Sequence, residues 1–372
     1  MKAIGIILAG GSSERRLGDL TLSRAASAMP VGGSYRTIDF PLSNMSNSGI
    51  QKVAVIAQYN SRSLQDHLSS AKWWDFGRRN GGLFVLTPYV TNDNAYWFRG
   101  TADSMYQNMS FLKRSHEKYV VITSGDCVYK MDYNDIIKAH AAKGADITIV
   151  TKNFAQDKDL TKMGIVETDA EGRVIEFEEK PVEPQSDEAS LGIYVMERTL
   201  LMKILDEIVP DDRYDFVKDV LIGMRRKLKI YAYKFDGYWN SIGGGIVDYY
   251  NANMDFLKKE IRDNFAKEKP YIATKPKDEP PAKYNLDAEV SNSVVGNGAI
   301  INGKVEGSVI FRRVYVGEKA SVKDSILMEN CHIGNNCVLE YVIFDKGVTV
   351  SDGVVIKGEK DKPFVVKKNS TL

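Results

Sequence analysis

Read as apolar and polar positions, the chain changes rhythm twice. Up to about residue 240, short apolar runs alternate with stretches of helical spacing. The runs Ala3–Leu8, Val53–Ala57, Tyr119–Thr123 and Asp146–Lys152 carry the β-branched enrichment of buried strands. Between them, Ser61–Ser70 and Ala102–Leu112 have helical spacing. Strand and helix taken in turn predict an α/β domain with a doubly wound, mostly parallel sheet. Ligands of such sheets bind beyond the carboxyl ends of the strands. A further helical pattern, Tyr249, Ala252, Asn253, Phe256 and Leu257, lies between Asp248 and Phe265. Pro270, Pro276, Pro280 and Pro281 then mark an extended linker. Beyond it Val294 and Ile300, Val316 and Val322, Ile333 and Leu339, and Val348 and Val354 stand six apart. Gly296, Gly317, Gly334, Gly347 and Gly353 punctuate them. That period, with apolar residues inside and Gly or Asn at corners, predicts a parallel β-helix, with an ordinary β-sandwich as the alternative. A β-helix has open ends that need cover, so an interface role follows. The expected division is 1–265 for the α/β domain, 266–285 for the linker and 286–372 for the repeats.

Composition narrows the class. A chain of 372 residues is too long for one ordinary core. With 43% hydrophobic and 27% charged residues it reads as a soluble globular protein. A net charge of +1 offers no field for nucleic acid or a membrane surface. Three scattered cysteines, Cys127, Cys331 and Cys337, form neither a disulfide framework nor a zinc site, which suits a reducing cytoplasm. The first apolar run is too short for a signal peptide, and no run approaches the ~20 residues of a membrane span.

The candidate chemistry gathers at strand ends. Leu8-Ala9-Gly10-Gly11 ends the first strand, and its glycines let backbone N–H groups face an anion. Arg15 and Arg16 follow within reach of a phosphate. There is no Gly-x-Gly-x-x-Gly, so a nucleotide-phosphate loop and a plain strand-to-helix turn both fit. Ser124-Gly125-Asp126 closes another strand, where a carboxylate can hold Mg²⁺ beside a triphosphate or simply make an Asx-turn. Gly100 and Thr101 open a helix where small residues let a sugar or base pack closely and the N-terminus favours phosphate, although Thr101 also suits an N-cap. Glu179 can accept sugar hydroxyl hydrogen bonds and Lys180 can meet a sugar phosphate; a solvated charge run is the alternative. Gly192, just after Ser190, permits close approach of a ligand to its strand. The four histidines do not cluster, and nothing supports covalent catalysis.

Taken together these segments resemble the bacterial ADP-glucose pyrophosphorylases, the glucose-1-phosphate adenylyltransferases of glycogen synthesis. The resemblance runs nearly end to end: Leu8-Ala9-Gly10-Gly11, Gly32 to Asn44, Trp73-Trp74-Asp75, Gly100-Thr101-Ala102-Asp103, Ser124-Gly125-Asp126, Phe177 to Pro181 and Gly237-Tyr238-Trp239. It implies a Rossmann-like nucleotidyltransferase domain followed by a left-handed β-helix, assembled as a tetramer. The implied reaction converts ATP and glucose 1-phosphate to ADP-glucose and pyrophosphate with Mg²⁺. Nucleotide binding is implied at Leu8, Ala9, Gly10, Gly11, Gly100 and Thr101. Sugar-phosphate binding is implied at Glu179, Lys180, Ser190 and Gly192, and Arg16 and Asp126 are the implied catalytic pair, with Asp126 also the metal ligand.

Three departures from that pattern matter. The first loop is one residue longer than Gly-Gly-x-Gly-x-Arg-Leu and includes Glu14. A carboxylate about 4 Å from a triphosphate charge costs roughly 1 to 4 kcal/mol. Where the family places Lys-Pro stand Ala26 and Ser27, and where it places a second metal carboxylate stands Ser241. Losing such groups costs about 3 kcal/mol each, roughly a hundredfold in rate. The pattern resembles the regulatory subunit class, which implies a hetero-tetramer with a catalytic homologue, the old cleft retaining a sugar phosphate or a phosphorylated effector. Basic residues such as Arg24 and Arg36 are candidates for an anionic effector, with plain surface solvation as the alternative. A self-sufficient Mg²⁺-dependent enzyme or homo-oligomer, with Arg15 or Arg16 replacing the lysine, is the alternative; a bifunctional hexapeptide acyltransferase is a distant third.

Overall fold

The structure is a computed structural model that describes residues 2–372 except 12–13, 78–80, 91–94 and 155–157; the side chains of residues 14 and 15 are also outside the description. Ala3–Leu8 is a strand in which alternate residues serve two cores. Ile4 and Ile6 face a cluster with Met105, Leu112 and Leu205, whereas Ile7 faces Leu42, Met45 and Leu64. Each such side chain, fully buried, contributes about 1.5–3 kcal/mol. A strand buried on both faces has no polar side to alternate with, which explains its continuous apolar run.

The main sheet runs Val174–Glu179, Gly164–Thr168, Glu188–Glu197, Tyr119–Ser124, Ala3–Leu8, Lys52–Ile56, Gly82–Leu86, with Ile147–Asn153 and Ile230–Lys234 attached through Glu188–Glu197. The first strand pairs in parallel with Lys52–Ile56 and Tyr119–Ser124, while Glu188–Glu197 runs antiparallel to its neighbours. The register sets Leu8 beside both Ile56 and Ser124, so three strands end at one level. Gly125 N–H donates to Leu8 O at 2.9 Å, which ties the Gly10–Gly11 and Ser124–Asp126 turns together.

The helical stretch expected at 102–112 is two helices, Thr101–Gln107 and Met109–Lys113. Asn108 interrupts them: its Nδ2 donates to Ser104 O at 2.8 Å and so competes with the backbone ladder. The pattern after Asp248 likewise becomes Ile246–Met254 and Lys259–Ala266, with a 3-10 turn between. The following extended segment is pinned to the α/β body. Ile272 is buried, and Trp74 Nε1 donates to Ala273 O at 3.2 Å.

Residues from Lys283 onward wind into a left-handed β-helix of three parallel five-stranded sheets. Across the middle coils equivalent positions are 17 residues apart, as Val309, Ile326 and Ile343 are, and the serines repeat with them: Ser325 N–H donates to Ser308 Oγ, and Val342 N–H to Ser325 Oγ. Val305, Val322 and Leu339 stack inside one sheet, and Ile310, Leu327 and Phe344 inside another. Asn292, Asn330 and Asn336 hold corners with positive φ, a conformation asparagine tolerates better than most residues. One outer face, Val309, Ile326 and Ile343, packs on Leu17, Leu20, Ile242 and Tyr249 of the α/β body. A buried ion pair, Arg24 Nη2 to Asp345 Oδ1 at 2.5 Å, fastens the same contact. No described helix is long and apolar enough to cross a membrane.

Candidate active site

Beyond the aligned strand ends lies a cleft with two cavities that share Gly11, Ser124, Asp126, Gly192, Tyr194 and Val217. The larger, about 470 Å³, is lined by Leu8, Ala9, Gly10, Gly11, Gly100 and Thr101, all six expected nucleotide residues. The smaller, about 310 Å³, is lined by Arg16, Glu179, Lys180, Ser190 and Ser241, and both cavities meet at Asp126 and Gly192.

The larger cavity has a mostly uncharged wall. Thr101 is not a side-chain cap of its own helix; its Oγ1 accepts the Phe216 N–H at 2.8 Å. Gly100 is needed for packing, because a Cβ there would lie 2.3 Å from Tyr214 O. Gly11, by contrast, faces open space. Gly100 and Thr101 thus hold the segment at Tyr214–Val217 against the wall. Ala26 and Ser27 also line this cavity and are buried. Arg99 is the one described lysine or arginine in the lining. It is already engaged, with Nη2 at 2.9 Å from Asp103 Oδ1, Nη1 donating to Tyr214 Oη at 2.6 Å, and the guanidinium over the Tyr214 ring.

The smaller cavity is densely charged. Arg16 Nη1 donates to Gly243 O at 3.2 Å. Lys180 pairs with Glu179, and its φ of 53° turns the chain there. Gly192 N–H donates to Ser190 Oγ at 3.3 Å, and Gly192 has φ +69° with open space on its Cβ side. Sequence reasoning missed four charged members of this cavity: Lys158, Asp159, Lys162 and Asp248. Asp248 lies 3.6 Å from Lys158 Nζ and 3.5 Å from Lys162 Nζ, and Asp159 lies 3.3 Å from Lys162. The available signal was Gly243-Gly244-Gly245 before a helix: a Cβ on Gly244 would stand 1.9 Å from Asp248 Oδ2.

Asp126 sits between the halves. Its Oδ1 accepts the Ser124 hydroxyl at 2.5 Å and the Cys127 thiol at 3.6 Å. Ser241 lies across from Cys127 in the Cys127–Tyr129 and Trp239–Ser241 pair, and its Oγ accepts the Gly243 N–H at 3.0 Å. Burial pushes the Cys127 thiol well above its usual range, and nearby Asp126 adds to this. Among the described residues no group of three or more His, Cys, Asp or Glu can hold a metal ion. Magnesium asks for several hard oxygen ligands in octahedral array. One carboxylate already bonded to a hydroxyl, facing a serine, does not fit a protein-held Mg²⁺.

Of the two basic residues considered for an effector, Arg24 is buried against Asp345. Arg36 lines a separate cavity of about 220 Å³ with Lys275, Lys277, Arg312 and Glu329, between the α/β body and the coils.

Residues 4–259 match the nucleotidyl transferase family, and residues 280–368 match the GlmU-like, C-terminal hexapeptide family. A glucose-1-phosphate adenylyltransferase of Bacillus cytotoxicus is 40% identical over 366 residues, covering 98% of this chain and 96% of its own. One from Clostridium perfringens is 41% identical over 372 residues, covering 98% and 95%. With the aligned strand ends, the two-part cleft and this likeness along nearly its whole length, the chain belongs to the glucose-1-phosphate adenylyltransferase family of nucleotidyl transferases.

Proposed function

We propose that this chain is a regulatory, weakly catalytic or non-catalytic subunit of ADP-glucose pyrophosphorylase in the bacterial cytoplasm. It acts in a hetero-tetramer and raises the activity of a catalytic homologue that makes ADP-glucose for glycogen synthesis. The observation that carries this reading is the wall of the larger cavity, where Ala26 and Ser27 are buried and Arg99 is committed to Asp103 and Tyr214. Transfer from a triphosphate depends on positioning and on neutralising several negative charges. Small neutral side chains do neither. The donor set at Asp126 and Ser241 argues the same way, since Mg²⁺ would have to arrive on the nucleotide.

The smaller cavity keeps Glu179, Lys180 and Ser190, which suit a hexose phosphate. The cationic cavity around Arg36 and Arg312 suits a phosphorylated effector. To test the reading, ADP-glucose formation is measured for the purified chain, for a catalytic homologue and for their mixture. The mixture is expected to exceed the homologue alone, with the isolated chain near background. Robust synthesis by the isolated chain would favour the second reading, a self-sufficient Mg²⁺-dependent enzyme. That reading draws on the names of the relatives and on Arg16, which lines the cleft.

A further inference from the structure

Lys158 differs from the other cleft cations in where its ammonium rests. Its Nζ donates to Asn240 Oδ1 at 3.0 Å. Asn240 pairs with Val128 and Ser241 with Cys127, so Lys158 reaches the short strand pair that begins one residue after Asp126. It is three-quarters buried, at 26% side-chain exposure. Its charge also reaches the Cys127 thiol, where it opposes the larger upward push of burial and Asp126.

Among the described residues the charges of this cavity balance without an added ion. Arg16, Lys158, Lys162 and Lys180 stand with Asp126, Asp159, Glu179 and Asp248. Asp248, Asp159 and Glu179 each have an ammonium in ion-pair contact. Asp126 has a hydroxyl and a thiol instead. A divalent cation placed there would meet a balanced wall, and Lys158 would repel it twice as strongly as it repels a monovalent ion.

We propose that Lys158 is a built-in cation of the cleft: its ammonium supplies the positive charge near Asp126, and the smaller cavity takes a phosphate monoester without a divalent ion. The proposal rests on the reading of that cavity as a hexose-phosphate site. It carries a corollary. A carboxylate introduced at Ser241 is taken up by Lys158 rather than by a metal, so a divalent site appears only when the ammonium is removed as well.

The test uses the full chain as wild type, Ser241→Asp, Lys158→Met and the double variant, with melting curves to show that each is folded. Mn²⁺ binding is followed by electron paramagnetic resonance without nucleotide. Wild type is expected to show no site below millimolar Mn²⁺. The double variant should bind about tenfold or more tighter than Ser241→Asp alone, because a like charge has been removed. Glucose 1-phosphate, titrated calorimetrically into wild type, should bind equally in EDTA and in Mg²⁺. Tight Mn²⁺ binding by wild type, or a double variant no tighter than Ser241→Asp, overturns the proposal. So does glucose 1-phosphate binding that is absent in EDTA or much stronger in Mg²⁺. ADP-glucose synthesis by the isolated chain overturns the regulatory reading instead, and is a separate measurement.

Discussion

Among the described residues, eight charged side chains line the smaller cavity and three, Arg99, Asp126 and Asp215, line the larger. The two cavities share the same strand ends and the same Asp126, so backbone geometry does not separate them. What separates them is charge. In the smaller cavity carboxylates and cations alternate and find one another; in the larger the single described cation, Arg99, faces Asp103 and Tyr214. The cleft therefore has two halves of one backbone shape, and among the described residues the smaller half holds most of the charge. Shape is held by burial spread over many side chains, whereas charge neutralisation rests on a few residues, and a few substitutions remove it.

The largest expected effect comes from rewriting the poorer half. Ala26→Lys with Ser241→Asp and Lys158→Met returns a cation to the wall and a second carboxylate to Asp126. ADP-glucose formation by the isolated chain should rise at least about a hundredfold, since each such group typically contributes about 3 kcal/mol or more. A folded triple variant with unchanged rate would show that charge is not what separates the halves.

The glycines test shape rather than charge. Gly100→Ala should lower stability by about 1–3 kcal/mol, because its Cβ would stand 2.3 Å from the Tyr214 carbonyl and backbone must move. Gly11→Ala, facing open space, should leave the melting temperature nearly unchanged. Equal melting losses for both would mean that the larger cavity's wall is not held by the Gly100–Tyr214 contact.

This contrast also shows what could be read from the residues alone. The first strand was legible as Ala3–Leu8 because burial on both faces leaves an unbroken apolar run. The β-helix was legible because its corners recur. The six expected nucleotide residues lie together in one cavity, yet the missing side chain of Gly100 admits the Tyr214 carbonyl rather than a ligand. Lys158 and Lys162 carried no local signal, and the triple glycine before the helix of Asp248 was the one trace of that partner. Lys162 meets Asp248 across 86 positions of sequence, and no local period records such a meeting. The break at Asn108 was missed because a side-chain bond to a carbonyl overrides helical spacing.

On the richer half, Lys180→Met should weaken glucose 1-phosphate binding by about tenfold, some 1.4 kcal/mol; the ammonium is 42% exposed and solvent screens it. Nucleoside binding, read in parallel by calorimetry, should not change. Matching losses for both ligands would mean that the halves act as one site.

The smallest effect concerns Cys127, beneath the junction of the halves. Burial and Asp126 raise its thiol, so the native chain keeps this proton at pH values where the unfolded chain releases it. Above the unfolded thiol's range, near pH 8.5, the native state binds more protons than the unfolded one, and stability falls as pH rises. The limiting slope for one proton is about 1.4 kcal/mol per pH unit. Cys127→Ala should be less stable overall because of its cavity, yet its stability should fall less steeply between about pH 8.5 and 10. Iodoacetamide should label wild-type Cys127 slowly across that range until the chain is denatured. Identical pH slopes in the two proteins, with rapid labelling of the native thiol, would place Cys127 in a wetter and more cationic setting than this junction provides. The sharp boundary between a charged half and a neutral one would then not hold at Asp126.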